Sequence, residues 1–453
     1  MEVKRCRRAY RATFLPAVNW LLLPQEILIK IFLFLSPNDK LSIRATCCLF
    51  KIVIEHHTLW KKSTFLFKDL GILNFKFLEM LKTRKVCSVE VHKLPLYNWK
   101  RFIASLPDLV NITLHSRLMG ESVKAMRPLG NLQRLQLANC AGLKDHEFII
   151  DVCNFQQLTH LWLCKLTLNC THALLALVQL KLLRSLSIHF QNGLLPKEEF
   201  RAVLFHLPKL RELSLMVHNM TNHCMSYCFS KPEICEEHPR ECDCVPRLQL
   251  QKLEFIQPSF TNLSPGAFDQ LSTLTTICLQ HYKVTTPESN LVTLLVRNLP
   301  NVTDLKLAWS SLYCLVVVPL AWEHLLPGHL ETLSLFGMHI RNDCFTVLLS
   351  TTRKLKHLDL SFCHGFDQRM LKCIPKAFPR LTKLYLSNLM LTDDTLLTLG
   401  HLMHLEELDI SNKQLLTPEG ILYFRKTTKD RVLLILERPA TIPECQIFFT
   451  LYD

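Results

Sequence analysis

The densest grouping of side chains able to hold a metal is HNMTNHCMSYCFSKPEICEEHPRECDC, residues 218–244. It offers thiol and imidazole donors, the ligands of tetrahedral zinc. Cys224, Cys228, Cys235 and His238 are the candidate set, with Cys235-x-x-His238 near a chelating spacing. His223, Cys242 and Cys244 add further donors, yet no standard finger spacing emerges. The segment therefore reads as an exposed, cysteine-bearing loop, and no metal is assigned. Groupings that would do catalysis are missing. His146-Glu147 opens like the H-E-x-x-H helix of zinc proteases, but Ile150 stands where the second His belongs. No G-x-S-x-G, P-loop or dinucleotide fingerprint occurs, and only 11 of 453 residues are Gly. The expectation is a protein without catalytic activity and without a cofactor.

Side chains that could recognise a partner have to be positioned by something. With 49% hydrophobic and 20% charged residues the chain is globular and long enough for more than one domain. Nineteen cysteines, an odd number without paired spacing, fit reduced thiols in the cytoplasm or nucleus. The net charge of +14 raises acidic partners, nucleic acid included. KRCRR at 4–8 reads equally as an import signal or a solvated basic tail. Against an intracellular site stand five glycosylation acceptor patterns, beginning at Asn111, Asn169, Asn219, Asn262 and Asn301. They support a secreted alternative.

From residue 86 onward one motif recurs, Leu-x-x-Leu-x-Leu, as in LQRLQL at 132–137, LETLSL at 330–335 and LEELDI at 405–410. Its second apolar position falls at 89, 112, 135, 161, 186, 213, 253, 277, 305, 333, 358, 384 and 408. Apart from one gap of 40, the spacing runs from 23 to 28 residues, the period of a leucine-rich repeat. The alternating end of each copy predicts a short strand with its leucines inward. The stretches between copies, such as THALLALVQL at 171–180, are helix-compatible. A unit of this kind cannot bury its own apolar face, so units stack into a curved solenoid with parallel strands on the concave side. Cys140 and Cys363 fall where this repeat takes Asn or Cys.

The opening run WLLLPQEILIKIFLFLS, residues 20–36, looks at first like a membrane anchor. Pro24, Gln25, Glu26 and Lys30 break it, and a charge at the centre of a span costs about 2.5–3.5 kcal/mol. As a helix begun by Pro24 it carries two apolar rows, Ile27-Ile31-Leu35 and Leu28-Phe32. The longer segment resembles an F-box. The pattern is carried by Leu23, Pro24, Glu26, Ile27, Ile31, Phe32, Leu35, Asp39, Leu41, Arg44, Cys47, Leu59 and Trp60. It departs from the family at Lys40, which separates Asp39 from Leu41, and at Phe50, near where Trp is common. An F-box followed by leucine-rich repeats is the layout of the F-box/leucine-rich-repeat proteins, substrate receptors of Skp–cullin–F-box ubiquitin ligases.

The resemblance implies an α/β chain in four parts: a basic tail at 1–19, an all-helical F-box at 20–65, about 13 repeats at 66–430 with an insertion at 218–246, and a cap at 431–453. It implies docking on the Skp adaptor, and through it cullin and RING subunits, by Leu23, Pro24, Glu26, Ile27, Ile31, Leu35, Leu41 and Trp60. The concave face would hold a protein substrate. Strand alternation places Arg134, Lys252, Lys306 and Lys383 there against Glu212, Glu254, Asp304, Asp359, Glu407 and Asp409. That balance argues against a nucleic-acid groove, and no membrane partner is expected. Trp162, Phe336, Asp359, Tyr385 and Asp409 are the expected substrate contacts, the last four as one patch over successive repeats. The alternative function is a repeat module, secreted or ribonuclease-inhibitor-like, that binds protein without a ligase.

Overall fold

Among the described residues three α-helices precede the first strand. The computed structural model describes residues 20–61, 63–72, 74–117, 119–140, 147–167, 171–191, 195–216, 227–229, 248–256, 259–260, 271–280, 283–284, 299–308, 329–338, 340, 342–412 and 415–437. Helices α1 (Gln25–Phe32), α2 (Pro37–Arg44) and α3 (Cys48–Ile54) form the helical unit. Ser36 caps α2, its Oγ accepting from Asp39 N at 3.1 Å and donating to the Asp39 carboxylate at 2.7 Å, with Pro37 in the first turn. Cys47 caps α3, its Sγ accepting from Phe50 N at 3.4 Å. Leu28, Phe32, Val53, Ile54, Leu59 and Trp60 make the core of this unit, with Phe50 edge-on to Phe32 at 5.3 Å. Among the described residues no helix is long and apolar enough to cross a membrane.

The sheet begins directly after this unit with β1 (Phe65–Phe67), β2 (Ser88–Val91) and β3 (Asn111–Leu114). Among the described residues it continues to Leu433–Ile435 as 15 parallel strands in strict chain order. All thirteen motif positions lie in its strands, with Val89 opposite Ile112 and Leu384 opposite Leu408. The sheet is longer than the expected 13 by one strand at each end. Phe65 pairs with Val89, and Leu434 with Leu408, so the repeats start before residue 66 and run past 430. Both extra copies carry a cation, Lys62 or Arg431, where the motif opens with leucine. A terminal strand has one neighbour, which relaxes the need for a full apolar set.

Helices such as α4 (Phe75–Thr83) pack on the leucine side, and one continuous core runs from Leu70 to Val432. Three late helices start on side-chain caps at equivalent steps: Asp367, Thr392 and Thr417 accept from Met370, Thr395 and Gly420 backbone N–H groups. The 40-residue gap leaves the ladder intact, since Glu212–Met216 pairs with Lys252–Ile256 without a shift. Cys140 and Cys363 are buried, with Cys363 Sγ donating to Leu335 O at 2.8 Å.

Candidate functional site

Two surfaces qualify, the outside of the helical unit and the open face of the sheet opposite the helices. On α1 the sequence offers two equivalent apolar rows. Leu28 and Phe32 turn to the core; Ile27 is exposed, and Ile31 and Leu35 are half-buried at the rim. Leu23 is half-buried and Pro24, Glu26 and Leu41 are exposed. These seven expected adaptor contacts are accessible. Trp60, the eighth, is not: it is 1% exposed, and its Nε1 donates to Ile54 O at 2.6 Å. A side chain so enclosed closes the core and touches no partner. Sequence reasoning missed the most exposed apolar groups, Leu22 at 79% and Phe34 at 90%, along with Trp20 and Leu33. The signal was present for Phe34, which lies off both α1 rows. Exposed apolar groups grouped along one short segment mark a protein-binding surface.

Lys40 is buried, its Nζ donating to Leu59 O at 2.9 Å and lying 5.6 Å from the Trp60 ring centre. Burial lowers its pKa. Lys40 thus turns inward while its neighbour Leu41 faces solvent. Arg84, just past the end of α4, lies 4.1 Å from the Trp60 ring centre. Arg84 Nε donates to Glu55 Oε2 at 2.8 Å, and Arg44 Nε donates to Glu55 Oε1 at 2.6 Å. Burial alone would raise the Glu55 pKa, but the hydrogen bonds from Arg84 and Arg44 outweigh it and hold the carboxyl below its usual range. Phe65 packs against the cores of both the helical unit and the repeats, and its ring lies 5.5 Å from that of Trp60. The helical unit is therefore welded to the first repeats.

The open face differs from expectation in detail. Asp359, Tyr385 and the strand residue Ser334 form one row, continued by Asp409. Phe336 lies two residues beyond Ser334, past the end of the strand Thr332–Ser334, and packs on Phe362 at 5.1 Å. It therefore stands outside the patch it was expected to share. Asp409 is 0% exposed, and one carboxylate oxygen accepts from Ser411 N at 2.9 Å and Ser411 Oγ at 2.5 Å. It fastens its own turn, as Asp359 does through Ser361 N at 2.9 Å. Asp409 is thus removed from the substrate set. Tyr385 is half-buried and donates to Glu407 Oε1 at 3.1 Å. Trp162 is half-buried with His189 edge-on at 5.9 Å. His189, Met216, Cys278 and Gln280, which strand alternation places on this face, are buried. Alternation fixes only the side of the sheet, and close neighbours across parallel strands can cover one another. Burial pushes the His189 pKa down to about 3, so it is neutral near pH 7.

Of the zinc candidates, Cys224, Cys235 and His238 lie outside the described residues. Cys228 is buried with its Sγ donating to Lys197 O at 3.8 Å, which separates it from any exposed loop. Among the described residues the cysteines form no disulfide, and burial pushes the Cys164 thiol up to about 11 and Cys153 up to about 12. Such thiols are protonated and inert.

Residues 20–66 match the F-box-like family model. No curated protein is similar in sequence to the chain. Among solved structures, an internalin of Listeria monocytogenes is 14% identical over 71% of this chain and 90% of that one, with a TM-score of 0.39. A leucine-rich-repeat protein of Leptospira interrogans is 18% identical over 80% and 92%, with a TM-score of 0.37. The Rad7 and Elc1 complex of yeast is 14% identical over 82% and 85%, with a TM-score of 0.46. The scores are low, and the repeat assignment stands on the strand register instead. The chain is an F-box-like domain joined, without a spacer, to a leucine-rich-repeat solenoid.

Proposed function

We propose that this protein is the substrate-recognition subunit of a Skp–cullin–F-box ubiquitin ligase. The observation that carries the reading is the F-box-like domain with Leu22, Ile27, Leu33 and Phe34 exposed, set against a long parallel sheet. The helical unit docks on the Skp adaptor, which brings cullin and RING subunits, and the chain does no chemistry itself. Trp162, Phe336, Asp359 and Tyr385 contact the protein substrate on the open face, in the cytoplasm or nucleus. Aromatic side chains held at half burial are efficient anchors, because little side-chain freedom is left to lose.

The test is capture of purified Skp adaptor by the full chain and by a variant with Leu22→Asp and Phe34→Asp. Both side chains are highly exposed, so the variant keeps its fold while placing charge in the docking surface. Loss of capture supports the reading. Undiminished capture moves the docking surface elsewhere, and no capture by the unaltered chain favours a repeat module without a ligase.

A further inference from the structure

Glu90, His92 and His115 have no part in the reading above. β2 ends at Val91 and β3 at Leu114, and these two residues are opposite each other in the ladder. His92 and His115 therefore occupy the same step of consecutive repeats, 23 residues apart, as the motif positions 89 and 112 do. Glu90 points to the same face from within β2. The result is convergence: His92 Nε2 lies 3.1 Å, and His115 Nε2 3.0 Å, from the same oxygen, Glu90 Oε1. The two rings are 4.4 Å apart between centres, and the three ligand atoms lie within 4.8 Å of one another.

The rings are tilted by 33°, and a neutral imidazole can offer a metal the lone pair of the nitrogen that faces Glu90 Oε1. Zinc at about 2.0–2.2 Å from nitrogen and oxygen donors holds its ligand atoms a little over 3 Å apart in a tetrahedron. Two of the three edges here, at 3.1 and 3.0 Å, are a few tenths of an ångström shorter than that and need only a small opening. Two imidazoles disfavour calcium and magnesium, which take oxygen ligands, and suit zinc. We propose that Glu90, His92 and His115 form a zinc site with two histidines and one carboxylate, its fourth position on the solvent side. Partial exposure of all three side chains leaves room there for water, or for a carboxylate or imidazole of a docked protein. The site bridges the second and third strands, beside the junction with the helical unit.

The experiment titrates the full-length chain, stripped with chelator, with zinc chloride in a calorimeter and with cobalt(II) in a visible spectrometer. One component with a Kd of about 1 μM or tighter is expected, and the cobalt form should show the intense bands of four-coordinate geometry. His115→Ala and His92→Ala should each weaken that component by at least about tenfold. Glu90→Gln, which keeps the size and a hydrogen-bonding oxygen, should weaken it while preserving thermal stability of the metal-free chain. Cys235→Ser with His238→Ser should leave it unchanged. A component lost in the Cys235/His238 variant and retained in His115→Ala would overturn the proposal. So would zinc binding that none of the three single variants alters, or no binding at all; either leaves Glu90 as a hydrogen-bond acceptor for two histidines.

Discussion

Replacing Arg84 with Ala cuts a side chain that reaches Glu55 and Trp60 together. Arg84 is 1% exposed, so its guanidinium has lost its water and depends on these partners. A desolvated cation over an indole face contributes about 2 kcal/mol. Removing one member of a buried ion pair costs about 3–5 kcal/mol. Glu55 moderates this figure: its side chain is 27% exposed and it keeps Arg44 at 2.6 Å. The lower end, about 3 kcal/mol, is the expected cost. Because Nη1 of Arg84 finds no acceptor among the described residues, part of its desolvation is uncompensated. Arg84→Met, which keeps the bulk over Trp60, should accordingly lose less than Arg84→Ala.

A single unfolding free energy is ill-defined for a repeat chain of this length, so the readout is local. Amide hydrogen exchange of Cys48–Ile54 and of Leu59 and Trp60 reports opening of the helical unit. Arg84→Ala should speed exchange there by about 150-fold, the equivalent of 3 kcal/mol at 1.36 kcal/mol per tenfold. Amides of the distant strand Lys383–Tyr385 should keep their rates, since each repeat contacts only its neighbours. A change of less than about tenfold, or one shared equally by that distant strand, would refute the junction as the support of the helical unit.

Four further outcomes concern particular residues. His189 has its pKa lowered in the fold to about 3, so the unfolded chain takes up a proton first; stability around Trp162 should fall as pH drops below about 6.5, and His189→Gln should flatten that dependence in acid thermal melts. Cys47→Ser puts a stronger acceptor at the α3 cap and should slow exchange of the Phe50 amide, a gain of about 0.5–1 kcal/mol. Phe336→Ala with Tyr385→Ala should impair ubiquitination of the substrate while adaptor capture is retained, whereas Asp409→Ala should loosen the Ser411 turn in local exchange at a cost of about 1–3 kcal/mol. An unchanged set of captured proteins in the double aromatic variant would place the substrate elsewhere.

Periodicity made the repeats legible because every inward leucine is repeated across neighbouring strands and survives single substitutions. It failed at the ends, where Phe65 and Leu434 sit in copies opened by a cation. It also could not fix where a strand stops, which is why Phe336 was placed in a row that belongs to Ser334. In α1 the spacing gave two apolar rows and no means of ranking them, because the partner helix that buries Leu28 and Phe32 is remote in sequence. Asp409 and Trp60 show the commonest error of reading a site from residue type. A carboxylate and an indole are typical contact groups, but each also has a strong hydrogen bond to satisfy internally, and here the fold uses it. Arg84 was invisible for the complementary reason: one of three cations in LKTRK reads as part of a solvated helix end until Glu55, 29 residues earlier, is brought beside it.

That same junction bears on how such a receptor would work. Only residues 61–64 separate Trp60 from β1, and Phe65 belongs to both cores, so there is little slack between the docking surface and the sheet. From Phe65 onward each strand of the 15-stranded sheet is hydrogen-bonded to the next up to Ile435. A side chain on the open face is thus related to the helical unit by one continuous ladder and one indole in contact with two cations, Lys40 and Arg84. If the helical unit is fixed on an adaptor, the residues that hold the substrate are fixed as well. Loosening Arg84 should then lower ubiquitination even when substrate and adaptor each bind at unchanged affinity, because what is lost is their relative placement.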